Sequence, residues 1–178
     1  EDGDHTQPTL DLFRSLWDQG TRNIGIVLQS YLYRTQDDAR MANEAGIPVR
    51  LCKGAYREPA SIAFQDKADV DRNFVETMKL LLEDGPYPAI GTHDEAMLDA
   101  TKAFADERGI DPASFEFQML YGIRRDLQKQ LVDEGYNMRV YLPFGDAWYP
   151  YLMRRMAERP ANMFFVLNNV RREMFSRG

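Results

Sequence analysis

Cysteine is almost absent. Cys52 is the single one in 178 residues, which excludes an internal disulfide and fits a reducing compartment such as the cytoplasm. Histidine is nearly as scarce: His5 and His93 stand far apart in sequence, with no Cys/His cluster, so a zinc site lacks its ligand set. Positive charge is in deficit, with 22 Lys and Arg against 28 Asp and Glu and a net charge of -6. That is the wrong sign for a surface that tracks phosphates, and it argues against nucleic acid as a partner. Long apolar runs are missing too: the longest, 163–167, falls far short of the ~18 residues that span a bilayer. The opening Glu1-Asp2-Gly3-Asp4 is acidic, unlike the basic start of a secretory leader. No Gly-x-Gly-x-x-Gly turn occurs, so the dinucleotide-binding fingerprint is lacking.

What remains is the composition of a folded chain. Hydrophobic residues make up 44% and charged residues 28%, which leaves no case for disorder and suffices for one domain over 1–178. Apolar residues three and four apart predict helices over 9–18, 37–45, 68–83, 95–107, 125–134 and 147–158. Short β-rich runs alternate with them at 23–29, 48–54, 88–92, 115–120 and 138–142. Gly20, Gly46, Gly85, Gly109 and Gly135 each punctuate the step from helix to strand. Such alternation means βαβ units and a parallel sheet, either doubly wound or part of a (β/α)8 barrel. Gln29, Lys53, Thr92, His93, Gln118 and Tyr121 fall at or just past the strand C-termini, where barrels build their active sites, and this favours the barrel.

Four constellations carry candidate chemistry. Arg50-Leu51-Cys52-Lys53-Gly54-Ala55-Tyr56 puts two cations in a short apolar strand, which is costly unless each meets a partner. Either Arg50 is an ordinary ion pair with the helix layer, or it faces the barrel lumen while Gly54-Ala55 lets a ligand approach the backbone. Alternation puts Arg50, Cys52 and Gly54 on one face and Lys53 on the other, so Lys53 joins a site only from the strand end. In Gly91-Thr92-His93-Asp94, Asp94 reads as a helix N-cap, and His93 as a structural or a ligand-facing histidine. Glu116 and Gln118 lie on one face of an otherwise apolar strand and require partners. In 148–155, Tyr151, Arg154 and Arg155 share a helical face. They form either a carboxylate clamp or a solvated basic helix end.

Together with Phe115-Glu116-Phe117-Gln118-Met119-Leu120-Tyr121-Gly122, Arg139-Val140-Tyr141-Leu142-Pro143-Phe144-Gly145 and Tyr151-Leu152-Met153-Arg154-Arg155, these motifs resemble the proline dehydrogenase family in order and spacing over nearly the whole chain. The resemblance implies a (β/α)8 barrel of which this chain supplies roughly the last five β/α units. It implies noncovalent FAD at the strand C-termini and oxidation of L-proline to Δ1-pyrroline-5-carboxylate by hydride transfer to the flavin N5. Electrons pass to a quinone, which implies peripheral association with the inner membrane. By the same resemblance Arg50 is the catalytic cation beside the flavin. Gln29, Lys53, Gly54, Ala55, Thr92 and His93 join it in binding the cofactor. Arg154 and Arg155 hold the proline carboxylate, Tyr141 and Tyr151 pack around its ring, and Tyr56 lies near the same pocket.

The family's substrate lysine and a strand-end aspartate fall before residue 1, and Glu1 matches a glutamate just after that aspartate. The first two strands and nearly all of the third are therefore expected to be missing, leaving open sheet edges that invite self-association. On that expectation the chain alone is not a competent enzyme, or it is a piece of a longer protein. Two rivals stand beside this reading: a non-catalytic fragment, and another flavin barrel of the methylenetetrahydrofolate reductase type, which takes electrons from a nicotinamide. Intact mass tests the expectation, since a complete barrel runs well beyond 20.6 kDa. A verified 20.6 kDa monomer that binds FAD and turns over proline contradicts it.

Overall fold

Side chains alternate across a strand, and in this protein the alternation separates an apolar face from a polar one. Ile26, Leu28, Val49, Leu51, Ile90, Phe117 and Met119 share one buried core with residues from every described helix. The computed structural model describes residues 2–142 and 144–146; the helix expected over 147–158 lies outside them. Five parallel strands form one sheet: β1 (Ile26–Gln29), β2 (Val49–Cys52), β3 (Ala89–Gly91), β4 (Glu116–Leu120) and β5 (Asn137–Tyr141). Helix α1 (Gly3–Asp18) precedes β1, and α2 (Thr35–Glu44), α3 (Lys67–Asp84), α4 (Glu95–Arg108) and α5 (Arg125–Asp133) fill the crossovers.

The strand order is β1-β2-β3-β4-β5, each strand pairing with the next in sequence. Right-handed crossovers in an order that never reverses put all the helices on one side. A doubly wound sheet must reverse its order to cover both faces. The sheet is therefore an arc of a (β/α)8-type barrel wall, as the strand-end residues had suggested. Phe74, Leu51, Ile90 and Phe117 are each fully buried between sheet and helices, worth roughly 2–3 kcal/mol apiece.

The elements start and stop for local reasons. Helix α1 begins at Gly3, earlier than its apolar periodicity suggests, because the Asp2 side chain accepts the His5 N–H at 3.0 Å. Pro8 lies inside this helix; it removes one N–H, and a reading by periodicity starts after it. Strand β1 begins at Ile26 rather than 23, where the Ile26 N–H first reaches a neighbour, the Pro48 carbonyl, at 3.0 Å. Strand β2 stops at Cys52 rather than 54 because the chain turns at Gly54, with φ of +97°. Helix α4 has the expected cap, Asp94 accepting the Ala96 N–H at 3.1 Å. It ends at Gly109, at φ +64°, where the Ile110 N–H returns to the Ala105 carbonyl at 2.9 Å.

On the polar face, the partners that Glu116 and Gln118 require are present. The Glu116 carboxylate is 5% exposed. It accepts from Arg139 Nε and Nη2 at 2.6 and 2.8 Å and from Gln118 Nε2 at 2.6 Å. Burial pushes this carboxyl up, but the Arg139 and Gln118 hydrogen bonds outweigh burial and hold it below the usual glutamate range. A depressed carboxyl contributes stability above its unfolded pKa and loses it as pH falls through the folded value. Arg139→Met is expected to lower the unfolding free energy by on the order of 1–2 kcal/mol at neutral pH. Urea denaturation should show that difference shrinking once the pH falls through the Glu116 folded value. A pH-independent difference would assign Arg139 a packing role instead.

Candidate functional site

The register brings the ends of β1, β2 and β3 level and continues that row through the middle of β4 and β5. Gln29 lies beside Cys52, Cys52 beside Gly91, Gly91 beside Gln118 and Gln118 beside Arg139. Arg50 is in the row below, between Val27 and Ala89. These residues share the face away from the helices. Above β1, β2 and β3 they open into a cleft of about 1050 Å³. Gln29, Arg50, Lys53, Gly54, Ala55, Thr92 and His93 all line it, together with Tyr56. The residues expected to bind the cofactor thus come from two strands and the loops after β2 and β3 to one place. Tyr141, at the end of β5, is 47% exposed and lies outside that lining. Tyr151, Arg154 and Arg155 lie outside the described residues.

Arg50 brings a cation to the cleft floor. Its Nε is buried and has no hydrogen-bond partner among the described residues. A buried, unsatisfied donor costs about 1–3 kcal/mol, which a fold retains where a ligand supplies the acceptor. Gly91 makes room beside it: a Cβ there would lie 2.9 Å from Cys52 Sγ and 3.2 Å from Arg50 Nε. Gly54, also in the lining, has its Cβ space filled by the Tyr31 ring.

Lys53 is tied differently. Its Nζ pairs with Asp71 of α3 and, at 2.7 Å, with Asp94 at the start of α4. Lys67 pairs with Asp71 as well and approaches Asp94 at 3.4 Å. Asp94 therefore does two jobs, one oxygen capping α4 and the other holding Lys53. Burial raises both carboxyls, but hydrogen bonds from Lys53, and for Asp71 from Lys67 also, win and hold them below the usual aspartate range. Lys53 reaches the cleft from beyond the strand end, as the alternation required, and its charge is already balanced by the helix layer. Sequence reasoning signalled that Lys53 needed a partner; it did not identify Asp71 or Asp94 as that partner, and it missed Tyr31, Glu58 and Lys67 in the lining.

His93 accepts the Leu120 N–H at Nε2, at 2.9 Å. An accepting Nε2 makes the ring neutral with its proton on Nδ1. Burial, then the charges of Arg124 and Arg50, lower its pKa from 6.5 to about 4. The ring therefore works as a fixed hydrogen-bonding group at neutral pH. The unfolded chain takes a proton at His93 below about pH 6.5 while the folded one does so only near 4. His93 should thus withdraw on the order of 2–3 kcal/mol of stability as pH falls across that window. Denaturation midpoints of wild type and His93→Gln, followed from pH 7 to 4, should draw together as the pH falls, the Gln variant having the flatter pH dependence. Identical slopes would place the titration elsewhere.

Residues 1–168 match the sequence model of the family described as Proline dehydrogenase. Proline dehydrogenase of Deinococcus radiodurans is 49% identical over 170 residues, covering 94% of this chain and 55% of that protein. Proline dehydrogenase 2 of Bacillus subtilis (strain 168) is 48% identical over 170 residues, covering 96% of this chain and 56% of that protein. The chain spans about half the length of these curated relatives. Among solved structures, proline utilization A (PutA) from Bdellovibrio bacteriovorus, inactivated by N-propargylglycine, superposes with a TM-score of 0.81 at 32% identity. It covers 88% of this chain and 19% of that one. The motifs, the parallel barrel wall and these similarities agree, and the chain belongs to the proline dehydrogenase family.

Proposed function

We propose that the cleft above β1, β2 and β3 holds FAD in an enzyme that oxidises L-proline to Δ1-pyrroline-5-carboxylate. The observation that carries this reading is the convergence of Gln29, Arg50, Lys53, Gly54, Ala55, Thr92 and His93 on one cleft at the strand C-termini. The donor set fits a flavin: a buried guanidinium nitrogen without a partner among the described residues, small residues at 54, 55 and 91, and neutral polar groups at 29, 92 and 93. FAD, when bound, supplies the hydride acceptor for the proline carbon next to nitrogen. The protein's own part is electrostatic and positional. Arg50 brings a fixed cation to the site where negative charge accumulates, in a partly buried setting that strengthens it. Thr92 and neutral His93 offer hydrogen bonds without adding charge. Arg154 and Arg155 hold the substrate carboxylate by paired, charge-assisted hydrogen bonds, with Tyr151 and Tyr141 beside its ring; this holds proline in place and is not itself chemistry. A quinone accepts the electrons in a second half-reaction, with the protein peripheral to the membrane; self-association through sheet edges belongs to the same proposal.

The decisive experiment is anaerobic. In a complete enzyme carrying this chain, proline, and not a nicotinamide, should bleach the flavin absorbance; reduction by NADH alone would favour the methylenetetrahydrofolate reductase type, and a colourless protein a non-catalytic fragment. Arg50→Met should lower the flavin midpoint potential and slow reduction by proline; an unchanged potential with normal reduction would leave Arg50 as a structural cation. In a complete enzyme carrying this half, Arg155→Met should weaken proline by roughly tenfold or more, since losing a charge-assisted contact costs about 1.5–3 kcal/mol, and far more than it weakens FAD. Equal losses for both ligands would contradict the clamp.

A further inference from the structure

The loop that follows β2 is closed by a single residue of another loop. Tyr31 donates its N–H to the Lys53 carbonyl at 3.0 Å, and its own carbonyl accepts the Phe64 N–H at 2.8 Å. Residues 53–64 thus leave and return to one peptide neighbourhood, the geometry of an Ω-loop. The returning arm is fixed several times over. Leu32 bridges Ala63, the Tyr33 hydroxyl donates to the Ala60 carbonyl at 2.8 Å, and the Tyr33 ring meets Phe64 edge-on at 4.6 Å. At the tip, the Glu58 carboxylate accepts the Gly3 N–H of α1 at 2.6 Å.

The leaving arm, Gly54 to Tyr56, lines the cleft, as do Arg57, Glu58, Ala63 and Phe64 of the same loop. At Gly54 the Tyr31 side chain packs against the backbone. Tyr31 is 4% exposed, and a Cβ built on Gly54 would lie 2.1 Å from its Cδ1 and 2.5 Å from its Cε1. The ring therefore occupies the space that any side chain at 54 would need. The Tyr31 hydroxyl lies beside the Glu58 carboxylate without reaching good hydrogen-bond geometry among the described residues, and it is the ring that meets Gly54. Burial, with the neighbouring Glu58 charge, pushes the phenol above its ordinary pKa, which keeps the ring neutral.

We infer that Tyr31 is a positioning residue: its ring sets where the Gly54–Tyr56 backbone lies and so shapes the cleft wall that receives the ligand. The ligand identity rests on the flavin reading above, while the ring-to-loop contact stands without it.

Arg57 is an exposed tryptic site in this loop, so limited trypsin digestion of the flavin-free protein reads the contact directly, and flavin fluorescence titration reads its consequence. Tyr31→Leu should speed cleavage after Arg57 by roughly tenfold through local opening, leave other sites unchanged, and raise the FAD dissociation constant by roughly tenfold. Tyr31→Phe keeps the ring and should restore both to within about twofold of wild type, because it removes only an unsatisfied hydroxyl. Gly54→Ala both meets the Tyr31 ring and strains the backbone at φ +97°, and should open the loop even if the Leu variant does not fold. Unchanged cleavage in the Leu and Ala variants overturns the inference; so does a Phe variant as damaged as Leu, or faster cleavage with an unchanged FAD constant. A protein that binds no FAD yet shows the cleavage pattern keeps the ring contact and discards the flavin reading. FAD binding with unchanged cleavage does the reverse.

Discussion

The structure depends on one constraint: parallel strands of a singly wound sheet present alternate side chains to opposite faces, and the helices take only one of those faces. Every residue that packs against α1 to α5 must then be apolar, and Ile26, Leu28, Val49, Leu51, Ile90, Phe117 and Met119 are. The intervening positions are released from that demand. They can be Gln29, Arg50, Cys52, Glu116, Gln118 and Arg139 without damaging the core. Because the strands are in register, the last of these residues on each strand come level, and the loops beyond them meet over a common floor.

Charge on that floor is distributed unequally, and this is what gives the cleft its character. Glu116, at the start of β4, and Arg139, in the middle of β5, neutralise each other, bracing the face without leaving a net charge. Lys53 is balanced by Asp71 and Asp94, which ties the end of β2 to the starts of α3 and α4. The buried Nε of Arg50 has no such partner among the described residues. A cation kept in a low-dielectric place without its own acid attracts an electron-rich ligand more strongly than one at the surface.

Much of this was legible in the sequence, for physical reasons that differ by element. Helices α2 to α5 follow from apolar spacing and their glycine stops, and Asp94 declares itself as a cap by its position. The barrel wall, as against a doubly wound sheet, follows from polar residues gathering at strand ends. Residues 23–25 and Gly54 looked like strand because alternation ignores where a ladder can bond; Gly54 in fact turns at φ +97°. Pairings that cross long stretches left no local trace: nothing near Lys53 points to Asp71 or Asp94, and nothing near Glu58 points to the first turn of α1. Tyr31 is the clearest case, since an aromatic after an apolar strand reads as core, and only the fold reveals that its ring fills the side-chain space of Gly54. Gly54, expected as a place where a ligand approaches, is required by its turn and by that ring.

The central claim is that the C-terminal ends of β1, β2 and β3, with the loop from 53 to 64, form the ligand-binding surface. Hydrogen exchange of the protein with and without FAD tests it most directly. Added FAD should slow exchange at residues 29–31, 53–58 and 91–94, and leave the N-terminal strand ends around 87–89, 115–116 and 137 unchanged. Protection at those N-terminal ends, or none at the loop from 53 to 58 in protein that demonstrably binds FAD, would contradict the account.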